Sequence, residues 1–394
     1  MVMTHYLDNS ATTKPSEASM RAAVEALELY GNPSSVHSEG VRSKHLLDAS
    51  RAKIAEALGV KRINGGSVIF TSSGTEANCT AILGYSEAKK RFRSGKAPTV
   101  IITEGEHPSV ENPTLRLKEK GWNVFRIPTR GGELDVDALR TFLATAENVV
   151  LAAMMLVNNE TGALYDVKRA ASIIHTAFPE CHVHCDAVQA FMKIKLSVSI
   201  LGVDSMTVSA HKIHAPRGAA ALWISADTVK KKNIIPVLPG GGQEMGFRSG
   251  TENLVAISAF AAAAAEEKAG LAENIEKVEK LRGYLESSLD ELAKEGVAVK
   301  RPVSFVPHIV NITLPRIKSE TMLNFLSGKG IFVSAGSACS ASSGRLSHAL
   351  RAFGCPDDVI DSSLRVSLSH TNTEADIDAL CTALAEGVRT LARF

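Results

Sequence analysis

The segment that decides the fold reads Met206-Thr-Val-Ser-Ala-His-Lys212-Ile-His-Ala-Pro-Arg-Gly218-Ala-Ala-Ala-Leu-Trp-Ile224. Its two apolar runs, Met206–Ser209 and Ala219–Ile224, have the length and composition of buried strands, and a polar loop that contains a lysine joins them. A lysine at the end of a strand, among polar neighbours, can form a Schiff base with an aldehyde cofactor. A single lysine is more often a solvated surface charge, so the rest of the sequence has to distinguish the two interpretations.

Further apolar runs occur upstream of this segment. They lie at 68–70, 99–103, 149–157 and 182–185, and stretches of helical length separate them. Short apolar runs without polar alternation are typical of strands buried on both faces, and intervening helices favour a parallel arrangement. The pattern predicts an α/β fold with helices on both faces of the sheet.

The sequence changes character after Gly250. Residues 271–292 carry leucine, isoleucine and valine at helical spacing, and residues 377–391 repeat this pattern near the end of the chain. These helices indicate a second, smaller unit. The predicted division is a large domain at 16–265 and a smaller α+β domain at 1–15 with 266–394.

The composition excludes several classes of protein. The chain has 394 residues, of which 45% are hydrophobic, and its 44 Lys+Arg nearly balance its 42 Asp+Glu, so it lacks the basic surface typical of nucleic-acid or acidic-membrane binding. Its six cysteines are too few and too scattered for a disulfide framework. The first residues lack the features of a signal peptide, and no apolar stretch is long enough to span a bilayer. We expect a soluble cytoplasmic protein that binds neither nucleic acid nor membranes.

Polar residues follow several of the predicted strands. Asp186 ends the run at 182–185, and a carboxylate there could keep the ring nitrogen of pyridoxal phosphate protonated. The alternative is a helix N-cap aspartate. The segment Thr71–Asn78 places Gly74 and Thr75 between a strand and a helix, where backbone N–H groups and the helix dipole favour a phosphate. The alternative is an ordinary capped turn.

His107 and Asn158 also come directly after predicted strands. An imidazole at His107 could stack on a planar ring and carry protons, although such a histidine is more often a surface loop residue. Asn158 could bond a cofactor or substrate, although asparagine after a strand is commonly a turn former.

The last third of the chain contributes a cysteine and an arginine. Cys339 lies in the small, polar segment Ser334–Gly344, which is typical of an exposed loop that leaves a thiol accessible. Arg365 lies in an apolar, alternating run, where it needs an anion such as a substrate carboxylate or an internal salt-bridge partner. The order Cys-His-Val-His-Cys at 181–185 lacks zinc-site spacing, and we expect no metal in the catalytic mechanism.

These features belong to a longer series of ordered motifs. The series comprises Tyr6-Leu-Asp-Asn-Ser-Ala-Thr-Thr13, Gly31-Asn-Pro-Ser-Ser35 with His37, Ser73–Asn78, Glu106-His107, Val157-Asn-Asn-Glu-Thr-Gly162, Asp186-Ala-Val-Gln-Ala190, Ser209-Ala-His-Lys212, Gly240–Asn253, Gly336-Ser-Ala-Cys-Ser340 and Arg365-Val-Ser-Leu368. In this order, the whole chain resembles the cysteine desulfurases of the NifS/IscS type, in the class V aminotransferase group of fold-type I pyridoxal-phosphate enzymes. The resemblance implies a mostly parallel, seven-stranded sheet flanked by helices.

The resemblance also implies roles around the cofactor ring. Lys212 would bind pyridoxal 5'-phosphate through a Schiff base, and His107 would stack on the ring and carry protons. Asp186 would pair with the ring nitrogen. Gln189 would bond the phenolic oxygen, and Asn158 would lie near that oxygen and the substrate.

Further roles concern the phosphate, the substrate and the sulfur. The phosphate would be held by Gly74, Thr75, Ser209 and His211. Thr251 would reach the phosphate of the neighbouring subunit, since members of the family are homodimers. Arg365 would bind the carboxylate of L-cysteine, and Cys339 would be the nucleophile.

The implied reaction converts L-cysteine to L-alanine and leaves a persulfide on Cys339 for an iron–sulfur scaffold or another sulfur acceptor. The spacing from Cys339 to Pro356 is similar to that of the long-loop group, which transfers sulfur directly to such acceptors. Two departures bear on the acceptor: the loop reads Ser343-Gly-Arg-Leu-Ser347 without the Glu-Pro pair that the resemblance implies, and because Phe394 comes soon after the last predicted helix, we expect the family's longer C-terminal tail to be missing. The alternatives are a selenocysteine lyase and an inactive cofactor-binding partner protein.

Overall fold

The computed structural model describes residues 4–60, 66–89, 95–336 and 346–391. The helices are α1 Glu17–Leu27, α2 Ser38–Ala57, α3 Gly74–Lys89, α4 Pro108–Glu119, α5 Val136–Thr145, α6 Val167–Ala177, α7 Val198–Leu201, α8 Ala226–Lys230, α9 Leu254–Asp290, α10 Ser319–Gly328, α11 His348–Phe353, α12 Asp357–Asp361 and α13 Glu374–Leu391. The strands are β1 His5–Tyr6, β2 Ser67–Thr71, β3 Thr99–Thr103, β4 Asn123–Ile127, β5 Val149–Met155, β6 His182–Asp186, β7 Ser205–Ser209, β8 Ala220–Ile224, β9 Ala298–Lys300, β10 Ile309–Thr313, β11 Ile331–Phe332 and β12 Ser363–Ser367.

A seven-stranded sheet forms the centre of the molecule, in the order β2-β8-β7-β6-β5-β3-β4. The pairs β4·β3, β3·β5, β5·β6 and β6·β7 are parallel, whereas β8 is antiparallel to both β7 and β2. Every residue of β3, β6, β7 and β8 is buried, as expected for strands covered on both faces. The predicted mostly parallel α/β sheet is therefore confirmed.

Two apolar clusters cover the faces of this sheet. One packs Leu47 and Ile54 of α2 and Ile257 and Phe260 of α9 against the sheet. The other is formed mainly by the side of α3 that carries Ala77, Ala81 and Tyr85 and by residues of α4. The carboxyl ends of the parallel strands are left at one edge, where the candidate site lies.

A second region surrounds the three-stranded antiparallel sheet β12-β10-β9 and the short pair β1-β11. Its core is a separate cluster that includes Leu7 together with residues of α9, α10 and α13. The first residues of the chain therefore pack with the last third, as the predicted division implies; its bounds stay a prediction. Among the described residues, none of the helices is long and apolar enough to cross a membrane.

Two details differ from the predicted pattern. Strand β4 was not predicted, because it is an edge strand with mostly half-buried residues and lacks a continuous apolar run. The helix predicted at 271–292 begins much earlier, at Leu254, and continues to Asp290. Its alanine-rich first half and its leucine-spaced second half form one helix of 37 residues.

Candidate active site

A cavity of about 270 Å³ opens at the carboxyl ends of the parallel strands. Met155, Asp186 and Ser209 end β5, β6 and β7, and all three line this cavity. Open parallel sheets bind ligands at this edge because side chains from several strands converge there. The fuller set of lining residues is Ser10, Ala11, Ser73, Gly74, Thr75, Asn78, His107, Ser109, Asn159, Gln189, His211, Lys212 and Arg365.

Asp186 is held in one orientation by a buried network. Asn78 Nδ2 donates to Asp186 Oδ2 at 2.8 Å, and the Val188 N–H donates to Asp186 Oδ1 at 3.0 Å. Asn78 is itself fixed, because its Oδ1 lies 2.9 Å from His184 Nε2, whose ring bonds the Ser205 hydroxyl through Nδ1. The carboxylate is thus held towards the cavity by buried residues of α3, β6 and β7.

Lys212 enters the cavity from the short 3₁₀ turn Ala210–Lys212 that follows β7. Its Nζ donates to the carbonyl oxygens of Ser10 at 2.5 Å and Ala11 at 2.7 Å. The N-terminal segment therefore holds the amine at the mouth of the sheet edge.

One end of the cavity is suited to an anion. Gly74 and Thr75 begin α3, so unpaired backbone N–H groups and the positive end of the helix dipole face this region. A Cβ at Gly74 would lie 3.2 Å from Val188 Cγ2, which shows how closely the backbone approaches the wall. Ser209 Oγ is buried without a hydrogen-bond partner, and His211 lines the same region.

His107 caps α4 and lies in the same cavity as Asp186 and Lys212. Its Nδ1 accepts a hydrogen bond from the Ser109 N–H and lies 2.8 Å from Ser109 Oγ. Burial lowers the pKa of His107, and the nearby Lys212 contributes in the same direction, whereas Asp186 opposes the shift. A largely neutral imidazole can both accept and donate a proton.

Gln189 joins the N-terminal segment to a second lysine. Its Nε2 donates to the carbonyl oxygen of Ser10 at 3.0 Å, and its Oε1 accepts from Lys193 Nζ at 3.3 Å. Burial lowers the pKa of Lys193 to about 7. This second lysine was not predicted. Its position four residues after Gln189 could have indicated that the two side chains lie close together.

Arg365 reaches the cavity from β12 of the small sheet. Its Nη1 donates to the Asn159 carbonyl oxygen at 3.0 Å, and its Nη2 donates to Asp8 Oδ1 at 2.6 Å. Its Nε is buried without a partner. The sequence left open whether Arg365 forms an internal salt bridge or binds a substrate carboxylate. The internal ion pair with Asp8 is present, and the Nε–H remains as a donor for a ligand.

Two predicted residues do not line the cavity. Asn158 Nδ2 donates to the Gly105 carbonyl oxygen, and its Oδ1 accepts from the N–H groups of Glu160 and Thr161, so the carboxamide is occupied by the turn that it stabilises. The neighbouring Asn159 lines the cavity instead. Thr251 is exposed on the surface and away from the cavity of its own chain.

The predicted nucleophile, Cys339, lies outside the described residues. Burial raises the pKa of each of the five other thiols, Cys79, Cys181, Cys185, Cys355 and Cys381. A raised pKa disfavours the thiolate, which is the reactive form of cysteine. Cys181 and Cys185 are buried beside His182 and His184, and both imidazoles bond Ser205 Oγ rather than facing the thiols.

Asn78 and Asp8, which orient Asp186 and Arg365 through hydrogen bonds, were not predicted from the sequence. Asn78 lies four residues after Gly74, so the two residues share one face of a helix. Its position near the cavity could therefore have been predicted from the sequence. Asp8 lies within a quoted motif, but its pairing with Arg365 across 357 residues had no local signal.

Comparisons with known proteins agree with this geometry. The family model described as aminotransferase class-V matches residues 5–380. A "NifS/IcsS protein homolog" of Lactobacillus delbrueckii subsp. bulgaricus is 37% identical over 389 residues, which cover 97% of this chain and 96% of that protein. "Cysteine desulfurase IscS" of Methanosarcina thermophila is 34% identical and covers 98% of this chain and 92% of its own. A solved structure titled "NIFS-LIKE PROTEIN" superposes with a TM-score of 0.88 at 31% identity, over 98% of this chain and 100% of that one.

Proposed function

The chain belongs to the class-V aminotransferase family, and we propose that it is a pyridoxal-phosphate-dependent cysteine desulfurase. The proposed reaction converts L-cysteine to L-alanine and retains the sulfur as a persulfide on Cys339. Relatives named as cysteine desulfurases match nearly the whole chain. The single observation that carries the proposal is the cavity in which Lys212, Asp186 and Arg365 come together.

The residues of the cavity fit pyridoxal phosphate. Lys212 offers an amine, and Asp186 offers a carboxylate held by Asn78. The start of α3 and the unpartnered Ser209 hydroxyl provide donors for the phosphate. We propose that Gly74, Thr75, His211 and Gln189 complete this set. When bound, the cofactor supplies an electron sink that allows the amino acid to lose its Cα proton.

The proton transfers fall to two side chains of this cavity. Lys212 would take the Cα proton of the substrate, and His107 would hold or return a proton close to the reacting atoms. The lowered pKa of His107 suits this role because a neutral imidazole is needed before it can accept. Arg365 would bind the substrate carboxylate, with the unpartnered Nε as the available donor.

The sulfur step needs a thiolate that reaches the substrate. The Cys339 thiolate would attack the sulfur of cysteine, so an S–S bond forms while the Cβ–S bond breaks, and its electron pair passes to the carbon skeleton. Protonation of Cβ gives alanine, and the enzyme sulfur is oxidised as the substrate carbon is reduced. The raised pKa of the five other thiols supports the assignment of this step to Cys339.

Delivery of the sulfur and assembly of the enzyme are also proposed from the family. An iron–sulfur scaffold or another sulfur carrier would take the persulfide from Cys339 in the cytoplasm, where thiols stay reduced. A homodimer would bring Thr251 of one subunit to the phosphate of the other, which agrees with the surface position of this residue.

The test is mass spectrometry of the cofactor-loaded protein after a brief exposure to L-cysteine without reductant. We expect one added sulfur on the peptide that contains Cys339, together with an equal amount of alanine. Neither product, in protein with its normal visible absorbance, would contradict the proposal.

Two variants separate the nucleophile from the rest of the site. Cys339→Ala should keep the bound cofactor and lose persulfide formation, whereas Cys355→Ala should behave like the parent protein. Sulfide release that is undiminished in Cys339→Ala would overturn the assignment of Cys339.

A further inference from the structure

A second group of chemically active side chains lies behind Lys212, away from Asp186. It consists of His214, Glu267 and His370, and the ligand atoms of these three residues all lie within 4.8 Å of one another. They come from three separate parts of the chain: the loop after β7, the middle of α9 and the segment after β12. Neither the proposed reaction nor the sequence motifs give this group a role.

One of the two imidazoles, His214, is oriented as a metal ligand usually is. His214 Nδ1 lies 2.9 Å from the Lys14 carbonyl oxygen, so Nδ1 carries the hydrogen and Nε2 is the nitrogen with the lone pair. A histidine that binds a metal through one nitrogen commonly donates the other N–H to a carbonyl in this way. On the other side, His370 Nε2 is 3.7 Å from Glu267 Oε1, a separation close to that of two ligands on one small cation.

The carboxylate is also supported from outside the group. Asn274 Nδ2 donates to Glu267 Oε2 at 3.2 Å, which leaves Oε1 towards the histidines. The Ser369 hydroxyl donates to His214 Nε2 at 3.0 Å, so a metal bound at Nε2 would take the place of this hydrogen bond. Ligand carboxylates in metal sites are typically held by such outer hydrogen bonds.

The surroundings provide space and a need for positive charge. A cavity of about 40 Å³ borders all three residues, which is enough for a water molecule. Glu267 and His214 are both buried. A cation bound here would compensate the charge of the buried carboxylate.

Lys193 borders the same cavity and competes as a cation. Its Nζ donates to Gln189 Oε1 at 3.3 Å, which ties this lysine to the N-terminal side of the cavity.

We propose that His214, Glu267 and His370 bind one divalent transition-metal ion of the Zn²⁺ class, with water in the remaining coordination position. Two imidazoles and one carboxylate are a donor set that suits Zn²⁺ and its usual substitute, Co²⁺. The ion would fasten the loop that carries Lys212 to α9 and to the strand that carries Arg365, so its effect is on the stability of the site's framework.

The experiment uses the full-length, cofactor-loaded protein in a Cys339→Ala background, so that the thiol cannot bind metal. After treatment with a chelator, the protein is titrated with Co²⁺ and followed by the visible ligand-field absorbance of the cobalt; Zn²⁺ content is measured by elemental analysis. We expect one ion per chain and a rise in melting temperature of a few degrees on adding Zn²⁺.

Variants locate the ion. His370→Ala and Glu267→Gln should each weaken Co²⁺ binding at least tenfold and abolish the thermal shift, while the cofactor absorbance shows that the protein is folded. The matched control is His175→Ala, which removes a histidine paired with a carboxylate, Asp204, at 3.1 Å elsewhere in the molecule and should leave binding unchanged. Absence of stoichiometric cobalt binding, or binding that survives both site variants, would overturn the proposal.

Discussion

Two parts of the cavity wall hold their charged groups in different ways. The first, the strand-end wall, consists of Asn78, Asp186 and Lys212 and is built on or beside the central sheet. Its hydrogen bonds run through fully buried groups, from Asp186 through Asn78 to His184. The geometry there is fixed before any ligand arrives.

The second part, the arginine wall, consists of Asp8, Asn159 and Arg365. Arg365 belongs to the small sheet, Asp8 to the N-terminal segment and Asn159 to the turn after β5. The guanidinium is already paired with Asp8 and keeps an unpartnered Nε. A substrate carboxylate would therefore meet a guanidinium that already has an ion-pair partner, with Nε as the donor left for it.

This difference in preorganisation indicates which kinetic constant, kcat or KM, each wall affects. A preorganised group contributes most to the chemical step, whereas a group that binds the ground state and the transition state alike contributes to KM. We expect changes in the strand-end wall to lower kcat and changes in the arginine wall to raise KM.

The largest effect is expected for Lys212→Ala. The variant would lose both the proposed attachment point of the cofactor and a proposed proton carrier, so alanine formation should fall about 10³-fold or more. The measurement is steady-state kinetics with L-cysteine, together with the visible spectrum. Lys195→Ala, at an exposed position nearby, is the matched control. A kcat within a few-fold of the parent value would contradict the proposed catalytic role of Lys212.

The arginine wall is tested by Arg365→Lys. Lysine keeps the charge but loses the planar, bidentate fork, so KM for L-cysteine should rise roughly 10- to 100-fold while kcat changes little. Arg351→Lys, which alters an exposed arginine–carboxylate pair with Asp357, serves as control. A fall in kcat without a change in KM would contradict the expectation that the arginine wall affects mainly KM.

The network behind Asp186 is tested by Asn78→Ala. Removal of this buried carboxamide takes one hydrogen bond from Asp186 and one from His184, so kcat should fall about tenfold and the free energy of unfolding by about 1–3 kcal/mol. Urea unfolding and kinetics measure the two effects. Asn148→Ala removes a half-buried asparagine away from the cavity, whose Nδ2 donates to the Lys96 carbonyl oxygen, and it should change neither. An effect on KM alone would contradict the preorganisation of the strand-end wall.

The smallest effect concerns Glu106, which supports the strand-end wall from beneath. Thr103 Oγ1 and the Met155 N–H both donate to its Oε1, its Oε2 is buried without a partner, and burial raises its pKa to about 8. Between the ordinary glutamate pKa and this value the folded protein keeps a proton that the unfolded chain has released. The stability contributed by that proton is complete at low pH and is lost as the pH rises towards 8.

Glu106→Gln removes this titration while it keeps the shape of the side chain. Between pH 5 and pH 8 the parent should lose roughly 1–3 kcal/mol more stability than the variant, with kcat nearly unchanged. Urea unfolding at several pH values measures the difference, and Glu119→Gln on the exposed surface is the control. Parallel pH profiles for parent and Glu106→Gln would contradict the raised pKa.

The sequence predicted the parts of the fold that depend on local composition. Strands β3 and β8 are buried on both faces, so nearly continuous apolar runs marked them. The edge strand β4 lacks such a run and was missed. The start of α9 was missed because its alanine-rich first half, buried on most sides, shows no amphipathic spacing.

The site was predictable in its residues more than in their orientations. Lys212, Asp186 and Arg365 were expected and do line one cavity. Which of Asn158 and Asn159 faces the cavity depends on a tight turn that ends with Gly162 in the left-handed region, and no periodicity reports that choice. The partner of Arg365 came from the other end of the chain, where only tertiary packing could place it.

The long helix α9 connects the hydrophobic cores of the central sheet and the small sheet. Its 37 residues extend about 55 Å. Its first half, with Ile257 and Phe260, is embedded in the core of the central sheet, and its second half, with Leu281 and Leu285, is embedded in the core of the small sheet. A stiff rod fixed in two bodies acts as a lever, so a bend of about 5° at its middle would displace the far end by about 2 Å. Arg365 is carried by the body at that far end, so a bend in α9 would move its guanidinium relative to the central sheet.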